Sequence, residues 1–485
     1  HAGTGLFDTL MVFENYPGEE AFADGLPEVH EFTHYPLTLA VLPETPLRVV
    51  FAYDAARLTP ATVAALMTAF EKALDDIAEQ EVPVDSDLSE PAAATRVPAP
   101  SAGRSAHVAP RGTAETTLAT LWETVLEVPD VGRWDHFFDL GGHSLLAMRI
   151  VGLARHRHNA RLPLQALFDA PRLADCAQWL ETAEAPDLPV VSVPRDGDAP
   201  ATPAQRRLWF IQTLDPDNGA YHIPLGLDIH GDLNIPALQT ALDALVARHE
   251  ILRTRFIAHS GEPYQRILDE APIPIAAVDP RGRHDPEGAA HDQIRAWLGE
   301  PFDLASGPLL RLGIAQVGAR HHRLLLVQHH IITDGLATDL FLRELIAAYK
   351  TALTGQAPAT ESPGLQIADH AAWVQSWRTT AAAEAQRRYW ENTLADAPDP
   401  VALTPDIPLA RAEKAEGARR SFRIAPDVAK RLDSLAQSVT SGLFAPLLAA
   451  WVLLLRRHGA GESVPVGVPV SGRTRPETES MLGCF

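Results

Sequence analysis

Cysteine is nearly absent from this 485-residue chain: only Cys176 and Cys484 occur, far apart and with no metal-ligand spacing around either. That speaks against a disulfide scaffold and fits a reducing cytosol. Basic residues are in deficit, 41 Lys and Arg against 62 Asp and Glu, so the formal charge of -21 repels phosphate backbones and argues against nucleic acid as a partner. Long apolar runs are missing too. The longest candidate, Leu443 to Leu455, stops at Arg456 and Arg457, short of a bilayer span, so no membrane partner is expected and the cytoplasm is the expected location. The opening His1-Ala2-Gly3 reads as neither a signal peptide nor a natural start, so both ends read as cuts through a longer polypeptide.

What is present suffices for several cores. Hydrophobic residues make up 46% and charged residues 21%, and the length predicts two to four domains. Residues 1–85 carry strand-like runs at Leu10–Phe13 and Leu47–Tyr53. A helix is predicted from Pro60 to about Ile77, where Leu66, Phe70, Leu74 and Ile77 recur at spacings of three and four. Residues 86–106 lie in a stretch rich in Pro, Ala and Ser that reads as a linker. Residues 107–183 read as all-helical, with helices near Glu115–Leu126, Ser144–Arg157, Leu164–Phe168 and Leu173–Glu181. A second linker covers 184–200, with Pro186, Pro189 and Pro194. From 201 to 485 the pattern mixes strands, at Leu225–His230 and Arg323–Val327, with helices at Ile235–Arg248, Thr338–Lys350 and Glu384–Leu394.

Two stretches carry chemistry. In Asp135-His136-Phe137-Phe138-Asp139-Leu140-Gly141-Gly142-His143-Ser144, the paired glycines permit a sharp turn that presents Ser144 at a helix start. Its hydroxyl could simply cap that helix; equally, free N–H donors and a partial positive charge suit a covalently attached phosphodiester. In Gln328-His329-His330-Ile331-Ile332-Thr333-Asp334-Gly335, a loop between a strand and a helix offers histidines for proton handling near neutral pH and an aspartate able to pair with a cation. Gly335 would let a substrate approach the backbone closely. His321 and His322 precede this pair by eight residues, roughly 26 Å if extended, too far to share one metal ion. No metal is expected.

The serine stretch, with its Phe-Phe-Asp-Leu lead-in, resembles the carrier domains of nonribosomal peptide synthetases. In that family the matching serine carries 4'-phosphopantetheine, whose thiol holds the growing chain as a thioester. The paired-histidine loop resembles the HHxxxDG signature of condensation domains, which are similar to chloramphenicol acetyltransferase. Further matches follow in the family's order: Ala204 to Phe210, Arg248 to Phe256, Asp369 with Trp373, and Gly467 to Arg473.

The resemblance implies a multidomain fold, a four-helix-bundle carrier followed by a two-lobed α/β chloramphenicol-acetyltransferase-like condensation region. His330 would be the reaction-centre histidine, acting as base, as positioning group or as stabiliser of the tetrahedral intermediate; His329 would be structural, and Asp334 would pair with Arg473. The implied reaction is amide formation between a donor thioester and an acceptor amine. Thr202 to Pro224 resembles domains taking an L-configured donor. Implied partners are a phosphopantetheinyl transferase, an adenylation domain that loads the carrier and a downstream acceptor carrier.

Leu6 to Pro17 resembles the last motif of a condensation domain, so 1–85 is expected to be the tail of one such domain and 201–485 the first lobe and start of the second lobe of another. No adenylation domain stands between 1–85 and the carrier, which leaves loading from elsewhere, an edited chain, or complementation of the last domain by the first fragment. A piece of this extent is expected to catalyse poorly. An inactive condensation-like scaffold that recruits partners is the competing reading, and a free-standing acyltransferase using coenzyme A thioesters a third.

Overall fold

The computed structural model describes residues 9–13, 37–42, 46–79, 108–126, 128–138, 140, 142, 144–158, 160, 162–181, 189–217, 219–398, 406, 417–438, 442–459, 461, 463–473 and 475–485. The elements in chain order begin with β1 (Thr9–Phe13), β2 (Leu37–Leu42), β3 (Arg48–Asp54) and α1 (Pro60–Ala78). Four helices follow: α2 (Gly112–Leu126), α3 (Ser144–His158), α4 (Leu164–Asp169) and α5 (Leu173–Glu181). Then come β4 (Ala199–Pro200), α6 (Pro203–Leu214), β5 (His222–His230), α7 (Ile235–Arg248), β6 (Thr254–His259), β7 (Glu262–Ile267), β8 (Ile275–Val278) and α8 (Pro286–Gly299). The chain continues through β9 (Leu310–Gly318), β10 (His321–His329), α9 (Gly335–Leu353), α10 (Ile367–Trp377), α11 (Ala381–Thr393), β11 (Gly417–Arg423), α12 (Pro426–Ser438) and α13 (Phe444–Arg457).

Helices α2 to α5 share one core. Trp122 on α2, Phe137 before the turn, Ile150 on α3, Leu167 on α4 and Cys176 on α5 are all buried, and the Trp122 and Phe137 rings lie 5.2 Å apart. Burial, with Asp175 beside it, pushes the Cys176 thiol up to about 12, so it packs as a small apolar group.

The central lobe is built on the sheet β5-β10-β9-β8. β10 is antiparallel to both neighbours, and β8 runs parallel to β9. Its core gathers Leu242 and Leu245 from α7, Leu324 and Leu326 from β10, and Phe341 from α9. Helix starts are set locally: Thr202 and Gln205 form a reciprocal cap at α6, Asn234 caps α7, and Asp334 caps α9. The strand β10 ends at His329 and a single 3-10 turn, His330–Ile332, leads into α9, so the end of an interior strand and the helix start together hold the histidine loop.

A third body draws elements from both 1–85 and 201–485, the stretches expected to belong to two partial condensation domains. Its sheet runs β1-β2-β3-β11, and β11 pairs antiparallel with β3 from Gly417 opposite Asp54 to Arg423 opposite Arg48. Helices α1, α12 and α13 cover this sheet, with Val63, Leu66, Phe70 and Leu74 of α1 packed with Leu447, Trp451 and Leu454 of α13. The apolar run at 443–455 is thus a core helix, and no helix of the described residues is long and apolar enough to cross a membrane. Between bodies, α3 lies against the 3-10 turn Pro476–Thr478.

Candidate functional site

His330 sits at the end of β10, half-buried, where its backbone N–H donates to Tyr221 O at 2.8 Å. Its Nδ1 lies 2.7 Å from Thr333 O. A carbonyl oxygen only accepts, so Nδ1 carries the proton and Nε2 keeps its lone pair. Cys484 Sγ stands 4.0 Å from the same Nδ1, and burial pushes that thiol up to about 12, so no thiolate forms beside the imidazole.

His329 faces the other way and is fully buried. Its Nδ1 accepts from Ile331 N at 3.0 Å, which leaves Nε2–H to donate to Gln212 Oε1 at 3.3 Å. Burial, with His222 and His330 nearby, pulls its pKa down to about 3, so it is a neutral structural group. Gln212 in turn donates to Pro216 O.

Asp334 Oδ1 accepts from Ala337 N at 2.8 Å and so caps α9. Arg473 Nη2 lies 3.1 Å from each Asp334 oxygen. The guanidinium, 4% exposed at its side chain, also donates to Thr478 O and Met481 O and rests over the Phe485 ring at 3.9 Å. Asp334 is therefore spent on the helix end and the arginine, and the hydrogen-bond partner of His330 is Thr333. Gly335 opens α9 and is exposed.

The opening motif supplies supports as well. Gln205 Nε2 donates to Ile331 O at 3.3 Å, and Thr202 Oγ1 donates to Cys484 O at 3.1 Å, so the start of α6 ties the histidine loop to the last residues. Asp369 accepts from Gln366 N, Val193 N and Arg195 Nη1, each at 2.8 Å, and locks the entry to the lobe onto α10. In the second motif His249 Nε2 meets Glu344 Oε2 at 2.7 Å. Sequence reasoning did not find Gln212, Tyr221, Thr333 or Cys484. Gln212 and Tyr221 fall inside the stretch read for donor preference, while a lone buried cysteine gave no signal.

His321 and His322 occupy the far end of β10. His321 meets Asp228 at 2.7 Å, and no cluster of three metal-ligating side chains occurs among the described residues.

In the helical body the backbone of α3 begins at Ser144, and Gly142 N donates to Phe137 O at 2.9 Å. A Cβ on Gly142 would stand 2.5 Å from both Phe137 Cε1 and Phe137 O, so only glycine permits this approach. Asp139, Gly141 and His143, with the side chains of Ser144 and Leu145, lie outside the described residues, and so does the expected exposure of Ser144.

Comparison with known proteins gives two family matches: a condensation domain over residues 195–485, more than half of the chain, and a phosphopantetheine attachment site over 116–180. Similar curated proteins include a component of the linear gramicidin synthase of Brevibacillus parabrevis, 37% identical over 80% of this chain, and tyrocidine synthase 2 of the same organism, 32% identical over 78%. The chain spans only 5% and 10% of the lengths of these two relatives. Among solved structures, the first condensation domain of the calcium-dependent antibiotic synthetase in complex with a substrate analogue is 27% identical, with a TM-score of 0.50 over 60% of this chain and 67% of that one.

Proposed function

Because the chain belongs to the condensation-domain family and carries a phosphopantetheine attachment domain ahead of it, we propose that it is a working segment of a nonribosomal peptide synthetase, forming an amide at His330. The observation that carries this reading is the anchoring of His330 Nδ1 on Thr333 O, which leaves Nε2 as a base. An amine that attacks an acyl carbonyl must lose a proton, and Nε2 accepts it; general-base assistance of this kind contributes roughly 10²- to 10⁴-fold. His329 holds the loop from beneath, and Asp334 with Arg473 fastens it to the segment 473–485.

Ser144 is the attachment residue, in a carrier that packs as a four-helix bundle. The chemistry fits. The first turn of a helix has backbone N–H groups without intrahelical acceptors, so the start of α3 suits a phosphodiester, and the close Gly142–Phe137 approach helps set the turn before it. When bound, 4'-phosphopantetheine supplies a thiol that carries the acyl donor. The contact of α3 with Pro476–Thr478 supports delivery to this lobe, because Thr478 O is one of the acceptors that hold Arg473. A phosphopantetheinyl transferase, an adenylation domain and an acceptor carrier are the proposed partners, in the cytoplasm. The convergence of His330, Asp334 and Arg473 speaks against an inactive scaffold.

The test has two readouts. Incubation with an acyl-coenzyme A and a phosphopantetheinyl transferase, followed by intact-protein mass spectrometry, should add one acyl-phosphopantetheine, absent in Ser144→Ala. Addition of an aminoacyl cysteamine thioester should then release the acyl group as an amide, and His330→Ala should slow that step at least a hundredfold at unchanged melting temperature. Loading elsewhere than Ser144, or equal rates for His330→Ala, would overturn the reading.

A further inference from the structure

Strand β11, Gly417–Arg423, carries Arg419, Arg420 and Arg423, and a strand of that composition has little apolar face with which to hold itself in place. Its partner is β3, from the other end of the sequence, in register over seven residues. The faces above are shared as well. Phe51 and Phe70 from the first part meet Trp451 from the last at 6.0 Å and 6.2 Å, in edge-on geometry. Polar ties cross the same boundary: Arg457 to Asp76 at 2.6 Å, Arg431 to Glu79 at 3.2 Å, and Thr59 N to Asp406 at 2.7 Å. Without residues 9–79, the buried faces of Leu447, Trp451 and Leu454 and one edge of β11 would be open to water.

We infer that residues 9–79 and 417–473 are two parts of one lobe within one chain, with the carrier threaded between them, and that β1 positions the segment leading to the reaction centre. Met11 N donates to Gly467 O at 2.9 Å, and Leu10 bridges Gly467 in parallel register. Six residues further on, Arg473 meets Asp334. A strand from the first residues thus fixes one end of the segment whose other end holds the histidine loop. The consequence for catalysis rests on the reading of His330 and Asp334 given above; the pairing does not.

Ala52 and Arg419 are register partners, and paired antiparallel residues stand about 4.5–5.5 Å apart, within disulfide range. The full chain with Ala52→Cys and Arg419→Cys, and a protease site within 86–106, is oxidised and cleaved. On a non-reducing denaturing gel the two fragments should migrate together at the mass of one chain and separate on reduction. Fragments that separate without reductant would overturn the pairing, and a crosslinked species of two chains would place it between copies and overturn the single-chain form. The positioning arm uses Met11→Asp, which puts a charge at a fully buried site. Hydrogen exchange at 467–473 should rise at least tenfold and amide formation fall by a similar factor, while modification of Ser144 stays unchanged. Unchanged exchange there, with the crosslink formed, would overturn the positioning role alone. Crosslinking without amide formation in the parent chain would instead count against the proposed function.

Discussion

Asp334 serves a helix end and an ion pair with one carboxylate, and two substitutions separate the roles. Asp334→Asn keeps an acceptor for Ala337 N but leaves the Arg473 charge without its partner, whereas Asp334→Ala loses both. Breaking a buried pair costs roughly 3–5 kcal/mol, near the lower end here because the Asp334 side chain is 20% exposed, and a lost cap adds about 1 kcal/mol. Melting temperatures should therefore fall in the order parent, Asn, Ala; three equal values would deny the pair. Acid acts through other side chains. Burial holds His329 at about 3, and burial followed by Arg473 and Arg475 holds His370 at about 4, against an ordinary 6.5. Below pH 6.5 the unfolded chain binds protons that the folded chain refuses, so stability is full above 6.5 and declines as pH drops towards 4. The loss is at most about 1.4 kcal/mol per pH unit for each histidine. Denaturant melts from pH 7 to 4.5 should show this decline, and His370→Leu should make it shallower; a slope unchanged in that variant would mean that His370 is not held neutral.

Elements with their own periodicity were legible in the sequence, and elements defined by distant partners were not. The spacing of Leu66, Phe70, Leu74 and Ile77 predicts a helix from Pro60, and α1 buries all four residues. The loop between a strand and a helix at 329–335 was readable because an apolar strand-like run precedes it and a helical pattern follows, whereas the capping of α9 by Asp334 was not read. Strand β11 was not: it is polar, and it is a strand because β3 pairs with it across more than 350 residues. The site shows the same split. His330, Asp334 and Arg473 stand in recognisable patterns, whereas the backbone oxygen of Thr333 that sets the imidazole tautomer has no side-chain signature. The turn into α3 gives a prediction at this scale. Gly142→Ala places a methyl 2.5 Å from Phe137 O, a backbone atom that has no rotamer to escape into. The start of α3 must shift, and modification at Ser144 by a phosphopantetheinyl transferase should slow at least tenfold; parental modification kinetics would show that the turn tolerates a side chain.

At the scale of the whole chain, the phosphopantetheine attachment domain and the condensation domain share one polypeptide, and α3 touches the turn Pro476–Thr478 beside Arg473. A tethered donor meets its site at an effective concentration in the millimolar range for short flexible linkers, far above micromolar protein. Mixing tests this directly. On the proposed function, Ser144→Ala retains His330 but has no hydroxyl to load, and His330→Ala keeps Ser144 but lacks the proposed base. Loaded His330→Ala chains at about 1 µM, mixed with an equal amount of Ser144→Ala, should form amide at least a hundredfold more slowly than the loaded parent. That mixed rate per chain should rise with concentration, while the parental rate per chain stays constant. A mixed rate equal to the parental one at 1 µM would mean that the carrier serves reaction centres on other chains as readily as its own. The α3 contact would then not be the route by which the donor reaches His330.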